Sequence, residues 1–207
     1  MPRITTSCPF VPLLLALPCL ALVGGCAGGG NGLAGAALEA TGLRKPSPPA
    51  LPEALQPPRN VALHLHAAKR LNLDPRGQSL ALLVRVYKLR QRAAFEQAPY
   101  AAFLSPQAER EALGADLVEV KEFTLVPGQR LDLNEKLARD ASYIGVVALF
   151  HSPARDGWRL AFAAADAEQA GVTLGLHACA MSAGAGAPAA GAVAKAGSTS
   201  LALVRCQ

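Results

Sequence analysis

From Asn60 onward apolar side chains recur at every second position, and that alternation decides the fold class before any single motif is considered. Val61, Leu63 and Leu65 alternate with Ala62, His64 and His66; Trp158, Leu160 and Phe162 with Arg159 and Ala161; Val172, Leu174 and Leu176 with Thr173, Gly175 and His177. Successive side chains of an extended strand point to opposite faces, so a period of two collects the apolar set on one face. These segments read as half-buried antiparallel strands. Leu80 to Leu89 and Ala141 to Phe150 are more continuously apolar, which suits central strands covered on both faces. Asp116 to Leu125 and Gln129 to Leu137 add two strands divided by the turn Pro127-Gly128, and Ser200 to Cys206 a last one. The tally of about eight strands predicts an all-β sandwich. One segment departs from it: Ser105 as N-cap, Pro106 at the first helical position and Gly114 after Leu113 predict a short helix from Pro106 to Leu113.

The residues before this domain read as an address and a tether. Arg3 precedes an apolar run from Phe10 to Val23 that ends in Gly24-Gly25-Cys26, the layout of a cleaved signal over residues 1–25. The run is too short to span a bilayer and carries Pro12 and Pro18. Val23-Gly24-Gly25-Cys26 resembles a bacterial lipobox, so Cys26 is expected to be acylated and to become the mature N-terminus. Several acyl chains would hold the protein durably, since one chain binds only marginally. The absence of Asp after Cys26, where Ala27 stands, resembles lipoproteins sorted to the outer membrane. Residues 26–59 are dominated by Gly, Ala and Pro and show no periodic pattern; the 33 residues from Ala27 to Arg59 would span roughly 30 Å as a flexible coil. Residues 60–207 form the folded domain, with 181–198 expected to be a small-residue, low-complexity loop before the last strand.

Composition narrows the functions open to the chain. The formal charge of +5 comes from basic residues interleaved with acids and lacks stacking aromatics, so nucleic acid is a poor partner. Signal removal takes Arg3 away and leaves 19 basic against 15 acidic residues. It also removes Cys8 and Cys19. Besides Cys26 there remain Cys179 and Cys206, which in an oxidising compartment can pair or stay two separate half-buried thiols. His64 and His66 share a strand face, a usable metal-ligand spacing, but no Asp, Glu or Cys in that strand completes a site, and the main expectation is two solvent-face histidines and no metal. Asp116, Glu119 and Glu122 lie in a strand with Lys121 and read as a charged outer face rather than a catalytic carboxylate pair. Arg85, Lys88, Arg90 and Arg92 form the densest basic run, either the exposed end of a strand or a surface for an acidic partner or anionic headgroups. None of the common nucleophile, phosphate-loop, dinucleotide or zinc-helix motifs occurs. Neither a catalytic residue nor a cofactor is assigned.

Leu71-Asn72-Leu73-Asp74-Pro75-Arg76-Gly77-Gln78-Ser79, followed by Val84-Arg85-Val86-Tyr87-Lys88-Leu89, resembles the type VI secretion lipoprotein family called TssJ. Later segments agree in order: Phe95, Ala98 and Leu104; Leu113-Gly114-Ala115-Asp116-Leu117; Pro127-Gly128-Gln129; Tyr143 to Ala148; and Trp158-Arg159. The resemblance covers nearly all of Asn60 to Ala180. It implies a transthyretin-like β-sandwich with a small helical addition, held at the periplasmic face of the outer membrane and without chemistry of its own. It also implies a partner, the periplasmic domain of the inner-membrane protein TssM. The family's partner-contacting element, between the first two strands, corresponds here to Lys69, Arg70, Leu71, Asn72, Leu73, Asp74, Pro75, Arg76, Gly77 and Gln78. Read physically, Asp74-Pro75-Arg76-Gly77 is a turn sequence and compatible with a plain hairpin. The stretch from Ala68 to Gln78 is nevertheless longer than the two to five residues usual for a hairpin. Leu71 and Leu73 are the expected apolar anchors, with Lys69, Arg70 and Arg76 for steering. The long Gly/Pro-rich tether and the enlarged 181–198 loop depart from the family pattern. The alternative function is a lipid-anchored metal- or small-ligand-binding sandwich using His64 and His66.

Overall fold

The computed structural model describes residues 51–52, 55–190 and 206, in which nine strands form two sheets packed face to face. In chain order the strands are β1 (Arg59–Ala67), β2 (Leu82–Leu89), β3 (Leu117–Leu125), β4 (Arg130–Leu137), β5 (Tyr143–Leu149), β6 (Arg159–Ala163), β7 (Val172–Leu176), β8 (Met181–Ala183) and β9 (Ala189–Ala190). One sheet has the order β4-β1-β7-β8, the other β3-β2-β5-β6-β9. Strands β1 and β7 run parallel; every other pairing is antiparallel. The all-β sandwich expected from the alternation is the architecture found. Consecutive strands β1 and β2 lie in different sheets, as do β3 and β4, so the loops joining them cross between layers and neither is a hairpin.

The alternation makes the core. Val61, Leu63 and Leu65 of β1 and Val172, Leu174 and Leu176 of β7 are fully buried from one sheet; Leu82, Val84, Ile144, Val146, Leu160 and Phe162 are buried from the other. The register places Val84 beside Ala148, Val86 beside Val146 and Val146 beside Leu160, so these residues share the inner face.

The outer face of the five-stranded sheet is covered as well at β2 and β5, because the connection from β2 to β3 folds back over it. That connection holds α1 (Ala93–Gln97), a 3-10 turn (Tyr100–Leu104), α2 (Pro106–Leu113) and a second 3-10 turn (Gly114–Asp116). Helix α2 has the expected bounds: Ser105 Oγ accepts from the Ala108 N–H, Pro106 opens the helix, and Gly114 at φ 52° closes it. Tyr87 on the sheet packs against Phe95 and Phe103, with ring centroids 5.4 and 5.8 Å apart. Gly145, paired with Tyr87, leaves room for Phe95, since a Cβ there would lie 2.8 Å from its Cζ. Two outer-face arginines fasten the layer. Arg85 donates to the Phe103 carbonyl and pairs with Glu109 at 2.5 Å, and Arg159 donates to the carbonyls of Phe95, Glu96 and Ala98 at the end of α1. A third helix, α3 (Ala164–Ala170), links β6 to β7.

Three sequence expectations need correction. The basic run is no open stripe: Arg85 pairs with Glu109 and Glu122, Lys88 with Glu119 and Glu135, Arg90 with Asp140 and Arg92 with Glu96. Period two already separates Arg85 from Lys88, three residues on, and puts Lys88 on the inner face with Val84 and Val86. Glu119 likewise leaves the charged outer face. Its carboxylate, held below the usual carboxylate range by the Lys88 hydrogen bond, joins Lys88, Lys121 and Glu135 where β3 and β4 border the open side of the sandwich. Part of the 181–198 loop is ordered as sheet, with β8 pairing on β7 and β9 on β6. These strands are too short and too small in side chain to alternate visibly. The expected Ser200 to Cys206 strand lies outside the described residues except for Cys206, which belongs to no strand.

Candidate functional site

Four connections meet at one end of the sandwich: β1–β2, β3–β4, β5–β6 and β7–β8. Strand β1 enters at the opposite end, where the tether joins at Arg59, and its eight steps at roughly 3.3 Å each separate the two ends by about 26 Å. Backbone hydrogen bonds knit the four loops together. Ala68 donates to Leu176 O and accepts from Gly128; Leu73 donates to Ala178 O; Ala154 donates to Cys179 O; Met181 donates to Gly157 O. Cys179 is buried and joined to Cys206 by a disulfide, with Cα atoms 5.5 Å apart. The β7–β8 turn is thereby tied to the chain's last residues.

Asn72 organises the loop between β1 and β2. It is 5% exposed and sits at φ 46°, a left-handed conformation that Asn tolerates better than most residues. Its N–H donates to His177 O, its Nδ2 to Ala81 O at 2.7 Å, and its Oδ1 accepts the His151 N–H at 2.6 Å. Beyond it Asp74 closes the turn, with Oδ1 accepting the N–H groups of Arg76 and Gln78 while the Gly77 N–H, at φ 74°, reaches the Asp74 carbonyl. Leu71 is fully buried in the core and Leu73 half-buried. The expected apolar anchor at Leu71 is therefore a core residue, because the crossing between sheets drives it into the space between them. The loop's exposed residues are Lys69, Arg70, Pro75, Arg76, Gly77 and Gln78. Asn72 was the residue sequence reasoning undervalued; an Asn between two leucines, just before a turn, was the available signal.

A profile of the type VI secretion lipoproteins, including VasD, EvfM and TssJ, matches residues 59–179, more than half of the chain. The chain belongs to this family. Among solved structures, the type VI lipoprotein TssJ1 from Pseudomonas aeruginosa is 32% identical, with a TM-score of 0.57, over 62% of this chain and 97% of that one. Serratia marcescens Lip, a membrane-bound component of the type VI secretion system, is 22% identical with a TM-score of 0.54, covering 61% and 98%. A chain from the structure of the TssM C-terminal domain from EAEC is 22% identical with a TM-score of 0.53, covering 60% and 97%; at that identity the last two likenesses show the fold alone. No curated protein sequence matches the chain.

In this type VI secretion lipoprotein three of the four histidines have a side-chain neighbour within hydrogen-bond distance, each a different one. His64 Nδ1 lies 2.6 Å from Asp132 Oδ1 on the neighbouring strand β4, a partner that the sequence of β1 does not contain. His66 is exposed, and His177 Nε2 meets Ser182 Oγ at 3.0 Å with its pKa lowered by burial. Among the described residues no group of three or more His, Cys, Asp or Glu side chains is gathered for a metal ion. A cavity of about 380 Å³ opens between the β5–β6 loop and the helical layer, lined by Tyr100, Asp156, Trp158 and Arg159 among others. Its aromatic walls are structural: Tyr100 donates to Phe150 O and its ring packs edge-on against Trp158. Cys26 lies outside the described residues.

Proposed function

We propose that this type VI secretion lipoprotein is an outer-membrane anchor of the secretion apparatus, carrying lipid on Cys26 and binding the periplasmic domain of a TssM-like inner-membrane protein through the loop from Lys69 to Gln78. The reading is carried by the position of that loop: it caps the end of the sandwich opposite the point where the tether enters. A domain held at Arg59 by a tether of roughly 30 Å would then present the loop toward the cell interior. Confinement at the membrane raises the domain's effective concentration for a partner that crosses the periplasm, so a modest pairwise affinity suffices.

Leu71 and Asn72 support the loop from beneath, so the contact falls to Lys69, Arg70, Pro75, Arg76, Gly77 and Gln78. Binding is tested with the soluble domain from Leu51 to Gln207 and the periplasmic part of the TssM-like protein. Changing Lys69, Arg70 and Gln78 together to Ala is expected to weaken the complex at least tenfold with the thermal midpoint unchanged, because none of the three packs in the core. Absence of any complex up to about 1 mM, where the standard binding free energy is only about −4 kcal/mol, would sink the reading. Lipidation is tested separately: Cys26→Ser should abolish palmitate incorporation and release the protein from the outer-membrane fraction.

A further inference from the structure

Charge is distributed unevenly along the axis of β1. On the body of the domain most cations are paired with carboxylates: Arg59 and Arg139 with Glu168, and Arg85, Lys88, Arg90, Arg92 and Lys121 with the carboxylates named above, while Arg159 is held by three carbonyls. Six described lysines and arginines have no side-chain hydrogen bond or ion pair among the described residues: Lys69, Arg70, Arg110, Arg130, Lys136 and Arg155. Four of the six belong to the loop end, on two of its connections and at the start of one strand. Lys69 and Arg70 lie on the β1–β2 loop, Arg130 at the first residue of β4, and Arg155 on the β5–β6 loop.

These loops form one surface. Asn72 bonds to His151, Ala68 to Gly128, and Lys69 lies beside Gly128. With Arg76 the end carries five cations against two carboxylates, Asp74 and Asp156, and Asp74 is already engaged by its own loop. Exposed charges held without a partner repel one another, a cost that an oppositely charged surface relieves.

We infer that the whole loop end, including Arg130 and Arg155 outside the Lys69 to Gln78 loop, is an electropositive docking face for an acidic protein surface on the partner. The inference rests on the reading above and names the partner's chemistry. A protein is favoured over anionic headgroups because the face lies at the end of β1 opposite the tether. Such a face acts first on encounter: complementary charge raises association rates by roughly 10- to 1,000-fold and loses that effect as salt screens it.

The experiment uses the full-length lipoprotein in neutral detergent and the partner's periplasmic part, with association rates measured by stopped flow from roughly 0.01 M to roughly 1 M ionic strength, where the screening length falls from about 30 to about 3 Å. Arg130→Glu with Arg155→Glu is compared with Arg110→Glu plus Lys136→Glu, which changes the net charge equally but off the face. The expected result is an association rate at least tenfold slower for the first variant at low salt and under about twofold slower for the second, the two converging at high salt. Equal slowing of both variants would mean that net charge alone matters and would overturn the face. So would a wild-type rate insensitive to salt. Capture of the wild type by phosphatidylglycerol vesicles without the partner, lost in the first variant, would assign the face to lipid and overturn it too. A wild type that forms no complex at any salt refutes the function proposed above, and this inference with it.

Discussion

Asn72→Ala is the substitution that most directly tests how the loop end is built. The change removes two side-chain hydrogen bonds, leaving the His151 N–H and the Ala81 carbonyl without their partners. An unpaired polar group costs about 1–3 kcal/mol when buried, and both residues border solvent, so about 1 kcal/mol each is the appropriate end of that range. The backbone at φ 46° adds a further cost of about 1 kcal/mol for a residue with a Cβ and no local side-chain bond. The total is about 3 kcal/mol, a large part of the roughly 5–15 kcal/mol that holds a domain together. Urea unfolding should show it as a lower midpoint at unchanged slope. Amide exchange should locate it, with protection falling at Asn72, Leu73 and His151 before it falls in β5. Asn72→Gly removes the same hydrogen bonds but tolerates the positive φ, so it should be about 1 kcal/mol less damaging. A loss below about 0.5 kcal/mol for Asn72→Ala, or equal losses for Ala and Gly, would refute the account of Asn72 as the residue that fixes the loop.

Three further outcomes follow from the packing. Gly145→Ala should destabilise by about 1–3 kcal/mol through the Phe95 ring, and adding Phe95→Leu should recover most of it; additive losses in the double variant would contradict the clash. Glu135→Leu strands Lys88 and Lys121 beside one remaining carboxylate and should cost about 3 kcal/mol, whereas Lys88→Met with Glu135→Leu should cost less than the single change, as measured by urea midpoints. Burial lowers the folded-state pKa of His177, so the unfolded chain binds the extra proton first: the neutral form's contribution is complete above the unfolded value of about 6.5 and is lost as pH falls below it. His177→Gln should flatten the fall in stability between about pH 7 and about pH 5, and an unchanged slope would exclude His177 as its source.

How far the sequence could be read depended on whether a feature was local. Helix α2 was legible to the residue because Ser105, Pro106 and Gly114 each encode an end by their own backbone chemistry. The five residues of α1 and seven of α3 were not, since neither has a side-chain cap and both are rich in alanine. The two-sheet core was legible in the alternation of β1, β6 and β7, and the double coverage of β2 and β5 in their unbroken apolar runs. What covers them was not, because Phe95 and Phe103 meet Tyr87 only through tertiary folding. At the candidate site the turn chemistry of Asp74 and Gly77 stood in the sequence, while the inward course of Leu71 follows from β1 and β2 belonging to different sheets. Lys88 is hard to place for another reason: its residue type points to solvent, while strand parity puts it on the inner face beside Glu119 and Glu135.

The direction of β1 has a mechanical consequence. It is a central strand, paired from Arg59 to His66 with β4 on one side and from Leu63 to Ala67 with β7 on the other. In the arrangement proposed above, tension from a partner pulling at the loop end would run along β1 to the tether at Arg59. Force along a strand loads its hydrogen bonds in shear, many at once, whereas force across it would open them one after another. The sandwich would therefore resist in its stiff direction, along a strand held by a neighbour on each side.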